Sequence, residues 1–465
     1  MSSNLNFGMT SSSVNGDQES MNTFYGTTEE QSQLVQQSVQ HTDNLNYSLN
    51  LSYTEPLGGR KYIEGNYSFR QNLSEVNRQM YDVNSGEPVL NNMLSNHYKS
   101  DYKYHRAGLN LRINRSKYNL TVGTSLQQTD LTGQLIMLDT GLSRSYSNIL
   151  PSVRFNYDFS GNGNLRFDYE TSVQEPTIQQ LQPVLDNRDP LNLSVGNPNL
   201  QPAYVQNWRI HYETFSPINF VSFFAMINAY YTTNAISTAQ NFTQDGIRIS
   251  RPVNVDENVR MNANATFSFP LQKINSRFGL TTTAMYQNGS NIVNEKASDI
   301  QQNSIGGTLR YNFRYKEVID INLEAIVVRQ STEYDFDAEA SQLFFNKTYS
   351  GDVYYSFLRN YSLQLGMEYL VYESKSNDYK QEIPLLNISI SRYILKAKSG
   401  EIKISVNNVL DKSIGITQQA DVNYFERTVS NSLGRYVMIS FVYSINKHLN
   451  PMSMRPQRGM MRVIH

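Results

Sequence analysis

A strict alternation of apolar and polar side chains, kept over unusually long runs, is the feature that most limits what this chain can fold into. Leu45, Tyr47, Leu49, Leu51 and Tyr53 alternate with Asn46, Ser48, Asn50, Ser52 and Thr54, which puts two chemically opposite faces on one extended segment. The pattern returns at Leu165–Glu170, at Leu309–Arg314 and at Ile402–Asn407. Reading each run as a strand gives about eighteen, centred near residues 7, 49, 65, 107, 123, 153, 169, 210, 225, 263, 282, 308, 324, 353, 367, 388, 406 and 439. Most are expected to run ~10–14 residues, whereas globular strands average about 5–6 and membrane-crossing ones need about 9–11.

The connections between these runs alternate between tight and long. Tight ones fall at 55–59, 114–116, 160–163, 216–217, 270–275, 315–317, 359–360 and 396–400. Between them lie polar stretches at 74–100, 130–147, 174–202, 232–256, 332–346 and 412–431, each expected to be a loop. Short turns on one side and long loops on the other are how outer-membrane barrels are built. A propeller or solenoid would show a fixed repeat, and none is present. The fold class is therefore all-β, an antiparallel transmembrane β-barrel in a bacterial outer membrane. Its apolar face meets lipid, and its polar face lines a wet interior. Aromatic rings beside the tight turns, at Tyr53, Tyr62, Phe159, Phe215, Tyr315, Phe357 and Tyr361, are expected to form an interfacial girdle.

Composition removes several other classes. A spanning helix needs ~20 apolar residues in a row, and the nearest approach, 220–231, is broken by Ser222 and Asn228. The formal charge of −1 leaves no basic footprint for nucleic acid. With no cysteine there are no disulfides and no thiol chemistry. Residues 1–14 hold no Lys or Arg and no apolar core, so they are not an export signal, which is expected further upstream.

Catalytic signatures are missing: there is no His-Glu-x-x-His, no phosphate-binding loop and no Gly-x-Ser-x-Gly elbow. His97 and His105 near Asp101, and His211 with Glu213, are the only approximations to a catalytic pair, and neither is read as one. No cofactor or metal is expected. The charges assigned to the lumen, Arg154, Arg166, Asp168, Glu170, Arg209 and Arg310, are of both signs and are read as solvation of the inner wall.

Two segments carry a more specific signal. Gln174-Glu175-Pro176-Thr177-Ile178-Gln179-Gln180-Leu181-Gln182-Pro183 is followed by Asp189-Pro190 and then by Gly196-Asn197-Pro198-Asn199-Leu200-Gln201-Pro202. Near the end stands Val406-Asn407-Asn408-Val409-Leu410-Asp411-Lys412. The first resembles the segment that leads into a barrel strand in TonB-dependent receptors, and the second resembles that family's motif at the mouth of the penultimate strand, with Val409-Leu410 in place of Leu-Phe. The Pro, Gly and Asn content of 174–202 predicts an ordered path, and both motifs are read as structural before ligand-binding.

The resemblance implies a barrel of twenty-two strands, of which this chain holds the larger part, at 1–445, without the plug. Residues 446–465, with Lys447, Arg455, Arg458 and Arg462 and no acid, are expected to be a disordered periplasmic tail. The implied function is energy-coupled uptake of a scarce solute. Outer-membrane lipid, a TonB-type transducer acting through the missing plug, and a small-molecule, glycan or peptide ligand are the implied partners. Candidate ligand contacts are Asp186, Asn187, Arg188, Asp189, Asn197 and Asn199, while Asn407, Asn408 and Asp411 carry the second motif. A passive eighteen-stranded channel and a surface adhesion or assembly barrel remain as alternatives.

Overall fold

The computed structural model describes all residues except 26–28, 85–86, 160–161, 182, 184, 187–190, 244–246, 317, 336–340, 377, 413, 421–424, 432 and 446–465. The expected C-terminal tail, 446–465, thus lies outside the described residues. In chain order the strands are β1 (Ser2–Tyr25), β2 (Glu29–Gly58), β3 (Lys61–Asn84), β4 (Glu87–Leu90), β5 (Asn96–Asn114), β6 (Tyr118–Leu135), β7 (Thr140–Phe159) and β8 (Gly163–Gln174). A single helical turn, α1 (Ile178–Leu181), and the short strands β9 (Leu185–Asp186) and β10 (Asn192–Val195) precede β11 (Ala203–Phe215). Then follow β12 (Ser222–Phe242), β13 (Arg248–Leu271), β14 (Ser276–Val293), β15 (Lys296–Tyr315), β16 (Ile319–Tyr334), β17 (Gln342–Phe357), β18 (Tyr361–Ser374), β19 (Tyr379–Ile394) and β20 (Gly400–Asn407). The last three are β21 (Ile414–Ala420), β22 (Phe425–Asn431) and β23 (Tyr436–Tyr443). One sheet holds twenty-one of these strands, and β21 with β22 forms a second. Setting aside the short β4, β9 and β10 leaves eighteen long strands in the main sheet, and every expected strand centre lies in one of them.

The chain divides into two compact units: Met1–His211 with Ile227–Met261 and Gln287–Ile300, and Tyr212–Met226 with Asn262–Tyr286 and Gln301–His465. In the first, β1, β2, β3, β5, β6, β7 and β8 pair in that order, each antiparallel to the next. In the second, β16 to β20 and then β23 do the same. Near each of the eight places expected to be tight, one strand ends and the next begins within a few residues, as at Gly58 and Lys61, Asn114 and Tyr118, and Phe357 and Tyr361. The sharpest needs left-handed backbone at Gly58, Gly59 and Arg60, with φ of 81°, 56° and 59°.

One face of the ladder is apolar and bare. In the first unit Leu109, Leu126 and Ile149 are exposed on it; in the second, Leu309, Leu323, Leu365, Ile404 and Ile439 are. So much contiguous apolar surface is stable only against lipid. Aromatics bracket it: Phe357 stacks on Tyr361 beside a tight turn, and Tyr349 on Tyr369 further along. From Tyr361 to Tyr369, at ~3.3 Å per residue, the strand rises ~26 Å, or about 20 Å once tilted, close to the ~25 Å apolar band of such barrels. Tyr62 departs from the girdle expectation. It sits on the same face as Glu64, opposite to Ile63, because β3 keeps a regular alternation through the pairs Thr54↔Glu64, Glu55↔Ile63 and Pro56↔Tyr62.

The expected loops are the main correction. Of the stretch 74–100, most continues β3 and β5 in unbroken register from Arg78↔Asn96 downward; 130–147 continues β6 and β7 to a tight turn at Ile136–Leu138. The stretches 232–256 and 332–346 likewise extend β12, β13, β16 and β17, and within 412–431 the backbone pairs as β21 and β22. Strands therefore reach 30 residues in β2 instead of the expected ~14. Beyond the lipid both faces can be wet, so the apolar alternation that marked the strands fades while the hydrogen-bonded ladder continues.

Candidate functional site

The described residues of the segment 174–202 fold onto the inner face of these strand extensions. Its entry is a reciprocal cap. Gln180 Oε1 accepts from the Thr177 N–H at 2.9 Å, and Thr177 Oγ1 accepts from the Gln180 N–H at 3.2 Å, which starts the single turn of α1. Just before it, Glu175 Oε1 accepts from Gln127 Nε2 at 2.9 Å and from Thr129 Oγ1 at 3.2 Å, and both donors are buried on β6. Burial, with the Glu175 carboxylate alongside, holds the nearby Tyr102 phenol above its ordinary range.

The second half of the segment hooks back onto the first. The Asn197 N–H donates to the Gln180 carbonyl at 2.6 Å, and Asn197 Oδ1 accepts from the Asn199 N–H at 3.1 Å in an Asx turn. Asn197 Nδ2 reaches the Pro252 carbonyl on β13 at 3.0 Å. Asn254 clamps Gln201 through both its amide groups, at 2.8 and 2.9 Å. Strand β10 adds parallel to β13 at Asn192↔Arg248. These tethers let Leu181 and Leu200 meet Leu131 of β6 in a small core, with Tyr102, Leu142 and Ile236 packed around it.

Between this lid and the wall lies a cavity of about 240 Å³. Asp186 lines it from the segment, with Gln179 and Ser194; Gln40, Arg78 and Asn96 line it from β2, β3 and β5. Arg78 Nη1 meets Asp186 Oδ1 at 3.3 Å and Nη2 meets the Leu94 carbonyl at 3.4 Å. Of the candidate ligand contacts, Asp186 is thus in the cavity, Asn197 is committed to holding the segment, Asn199 is exposed, and Asn187, Arg188 and Asp189 lie outside the described residues. The sequence reading missed Gln40, Arg78, Asn96 and Tyr98. The available signal was parity: Asn66 and Arg78 are an even number of residues apart, so an uninterrupted β3 puts both on one face.

Of the charges assigned to the lumen, Arg154, Arg166, Asp168 and Glu170 share one face of the β7–β8 ladder and mostly neutralise one another. Arg154 Nε contacts Asp168 Oδ1 at 3.0 Å with Arg166 at 3.9 Å, and Glu170 follows on the same strand. Arg209 Nε donates to Asn228 at 3.3 Å, and Arg310 pairs with Glu324. In the second motif Asn408 Oδ1 accepts from the Lys412 N–H at 3.1 Å, Asp411 Oδ1 accepts from the Arg435 N–H at 2.6 Å, and Asn407 ends β20. Those bonds close the turn and start β23. The histidines considered for catalysis have other company: His97 is at 2.9 Å from Glu75 and His105 at 2.7 Å from the Tyr67 hydroxyl.

The family model for the outer membrane protein beta-barrel family matches residues 2–305 and 300–443, and the chain belongs to that family. It is a protein of the bacterial outer membrane. A comparison with curated proteins finds no match. Among solved structures the chain is similar to the unliganded ferric citrate transporter FecA, at 12% identity and TM-score 0.46, over 94% of this chain and 59% of that one. It is also similar to Pseudomonas aeruginosa FpvA bound to a ferric pyoverdine, at 10% identity and TM-score 0.42, over 95% and 53%, and to the ferric yersiniabactin uptake receptor FyuA of Yersinia pestis, at 9% and 0.38, over 94% and 79%. The chain spans less than two thirds of the length of FecA and FpvA.

Proposed function

We propose that this chain is the barrel of a TonB-dependent uptake receptor, which captures a scarce solute under its outer segment 174–202 and passes it inward by energy-coupled transport. The observation that carries the reading is the lid itself. A segment with its own core, anchored at Glu175 and Asn197, covers an inner face that a passive channel would leave to water. Ordered loops on a rigid wall are where recognition is expected. Energy would come from a TonB-type transducer pulling on a plug, as the resemblance of residues 174–202 and 406–412 to that family implies. The solute is a small molecule, a glycan or a peptide; a near-neutral chain offers no basis for nucleic acid.

Deleting 186–199 from the parent protein should abolish uptake while the barrel still inserts and migrates as a folded band on unheated gels. Normal uptake by that deletion moves recognition elsewhere. Large, steady, ligand-independent conductance from the parent protein in planar bilayers would replace the receptor with a passive channel.

A further inference from the structure

We propose that the cavity between the outer segment and the inner face of β2, β3 and β5 binds one neutral sugar ring, held jointly by Arg78 and Asp186; its role in uptake rests on the receptor reading above, but its binding does not. The first argument is the guanidinium of Arg78. Its two terminal nitrogens make only long contacts, 3.3 Å to Asp186 and 3.4 Å to the Leu94 carbonyl, where a well-formed pair closes to ~2.7–2.9 Å. Its Nε is buried without a hydrogen-bond partner among the described residues. An unpaired buried donor is costly, so the loosely held guanidinium gains by turning until its N–H groups meet a ligand acceptor.

Charge and size narrow the ligand. Arg78 is the sole cation among the described lining residues and Asp186 the sole anion, so a multiply charged metal chelate finds no net field there. A volume near 240 Å³ holds about eight waters at ~30 Å³ each, enough for one ring and less than the ~300–1,000 Å³ of a drug-sized site. Adjacent hydroxyls on a sugar accept from Arg78 and donate to Asp186 at the same time. Gln40, Gln179 and Ser194 add side chains of both hydrogen-bonding kinds, while Val76, Leu94 and the buried Tyr98 give the C–H face of the ring an apolar wall. A peptide cannot dock here by adding a strand, because β3 is already paired on both sides, by β2 at Gln40↔Arg78 and by β5 at Arg78↔Asn96.

The test is calorimetric titration of the detergent-purified chain with methyl α-glucoside, methyl α-mannoside, methyl β-galactoside and N-acetylglucosamine, with citrate and Ala-Ala as the anionic and peptide probes. Saturable binding of a glycoside, weakened at least tenfold by Arg78→Met and by Asp186→Asn but unchanged by Arg154→Gln, is the expected result. Folding of each variant is checked by its unheated gel mobility, and Ser194→Leu, which fills the cavity beside Asp186 while leaving both charges in place, should block binding equally. The proposal is overturned if no glycoside binds, if binding ignores these substitutions, or if citrate or Ala-Ala is the better ligand. Sugar binding without uptake would leave this site standing and remove the receptor reading; uptake of another solute without sugar binding would do the reverse.

Discussion

Within single strands the sheet changes sides. In β6 Leu126 is 62% exposed on the outer face and Leu131, five residues on, is 2% exposed on the inner one; in β7 the neighbours Ile149 and Leu150 are 64% and 4% exposed. Where the strands cross the lipid, apolar groups point out and Arg154, Asp168 and Asn110 point in. In their extensions Glu75, His97 and Lys99 join in polar contacts on the outer face, while Val76, Met80 and Leu131 are buried on the inner one. One ladder thus serves two solvents. What flips the polarity is the neighbour on each side: lipid outside the lower part, and the folded 174–202 segment inside the upper part.

The sharpest way to break this comparison is to empty the inner core of the extension. Leu200→Ala or Leu131→Ala should cost ~2–5 kcal/mol of docking energy for the outer segment. Limited proteolysis should then cut within 174–202, while the barrel keeps its heat-modifiable mobility. Lost insertion, with the segment still protected, would mean that the two regions are not separable.

The complementary change is on the lipid face. Leu126→Arg and Leu309→Arg, both exposed, should cost ~2–4 kcal/mol in folded-barrel yield, depending on depth, and Asn312→Arg on the inner face should cost little. Equal losses on the two faces would contradict the assigned alternation.

How much of this was legible follows from which solvent each region meets. Lipid imposes a period of two, so the run around Leu49 and the run around Leu309 announced themselves, and all eighteen strand centres are where the alternation put them. The extensions carry no such signature, and 74–100 and 130–147 read as loops although most of each is strand. The Pro, Gly and Asn content of 174–202 pointed to turns closed by asparagine side chains, and Asn197 and Asn408 do close turns. What the segment packs on was not legible: the pairing of Asp186 with Arg78 joins residues 108 apart, and no local pattern encodes that.

A smaller effect tests the cap that starts the segment. Thr177→Ala removes the acceptor for the Gln180 N–H and should loosen docking by ~0.5–2 kcal/mol, seen as faster proteolysis within 174–202 at unchanged barrel yield. An unaltered cleavage rate would mean that Glu175 and Asn197 alone set the entry.

The smallest effect is one of pH, in the same extension and not in the lipid-crossing part. Burial first, and the Glu175 carboxylate second, raise the Tyr102 phenol above its ordinary value of 10.0. A group that is harder to ionise when folded contributes stability that is complete below the unfolded value and is lost as pH rises past it toward the folded one. Docking of 174–202 should therefore hold unchanged up to about pH 10 and weaken above it. Tyr102→Phe cannot ionise and should flatten that alkaline loss. Glu175→Gln removes the neighbouring charge, lowers the folded value of Tyr102, and should shrink the pH-linked part of the stability even as the anchor itself weakens. Proteolysis rates across this pH range measure both. A Tyr102→Phe protein that loses docking over the same interval as the parent would place the alkaline sensitivity on another group.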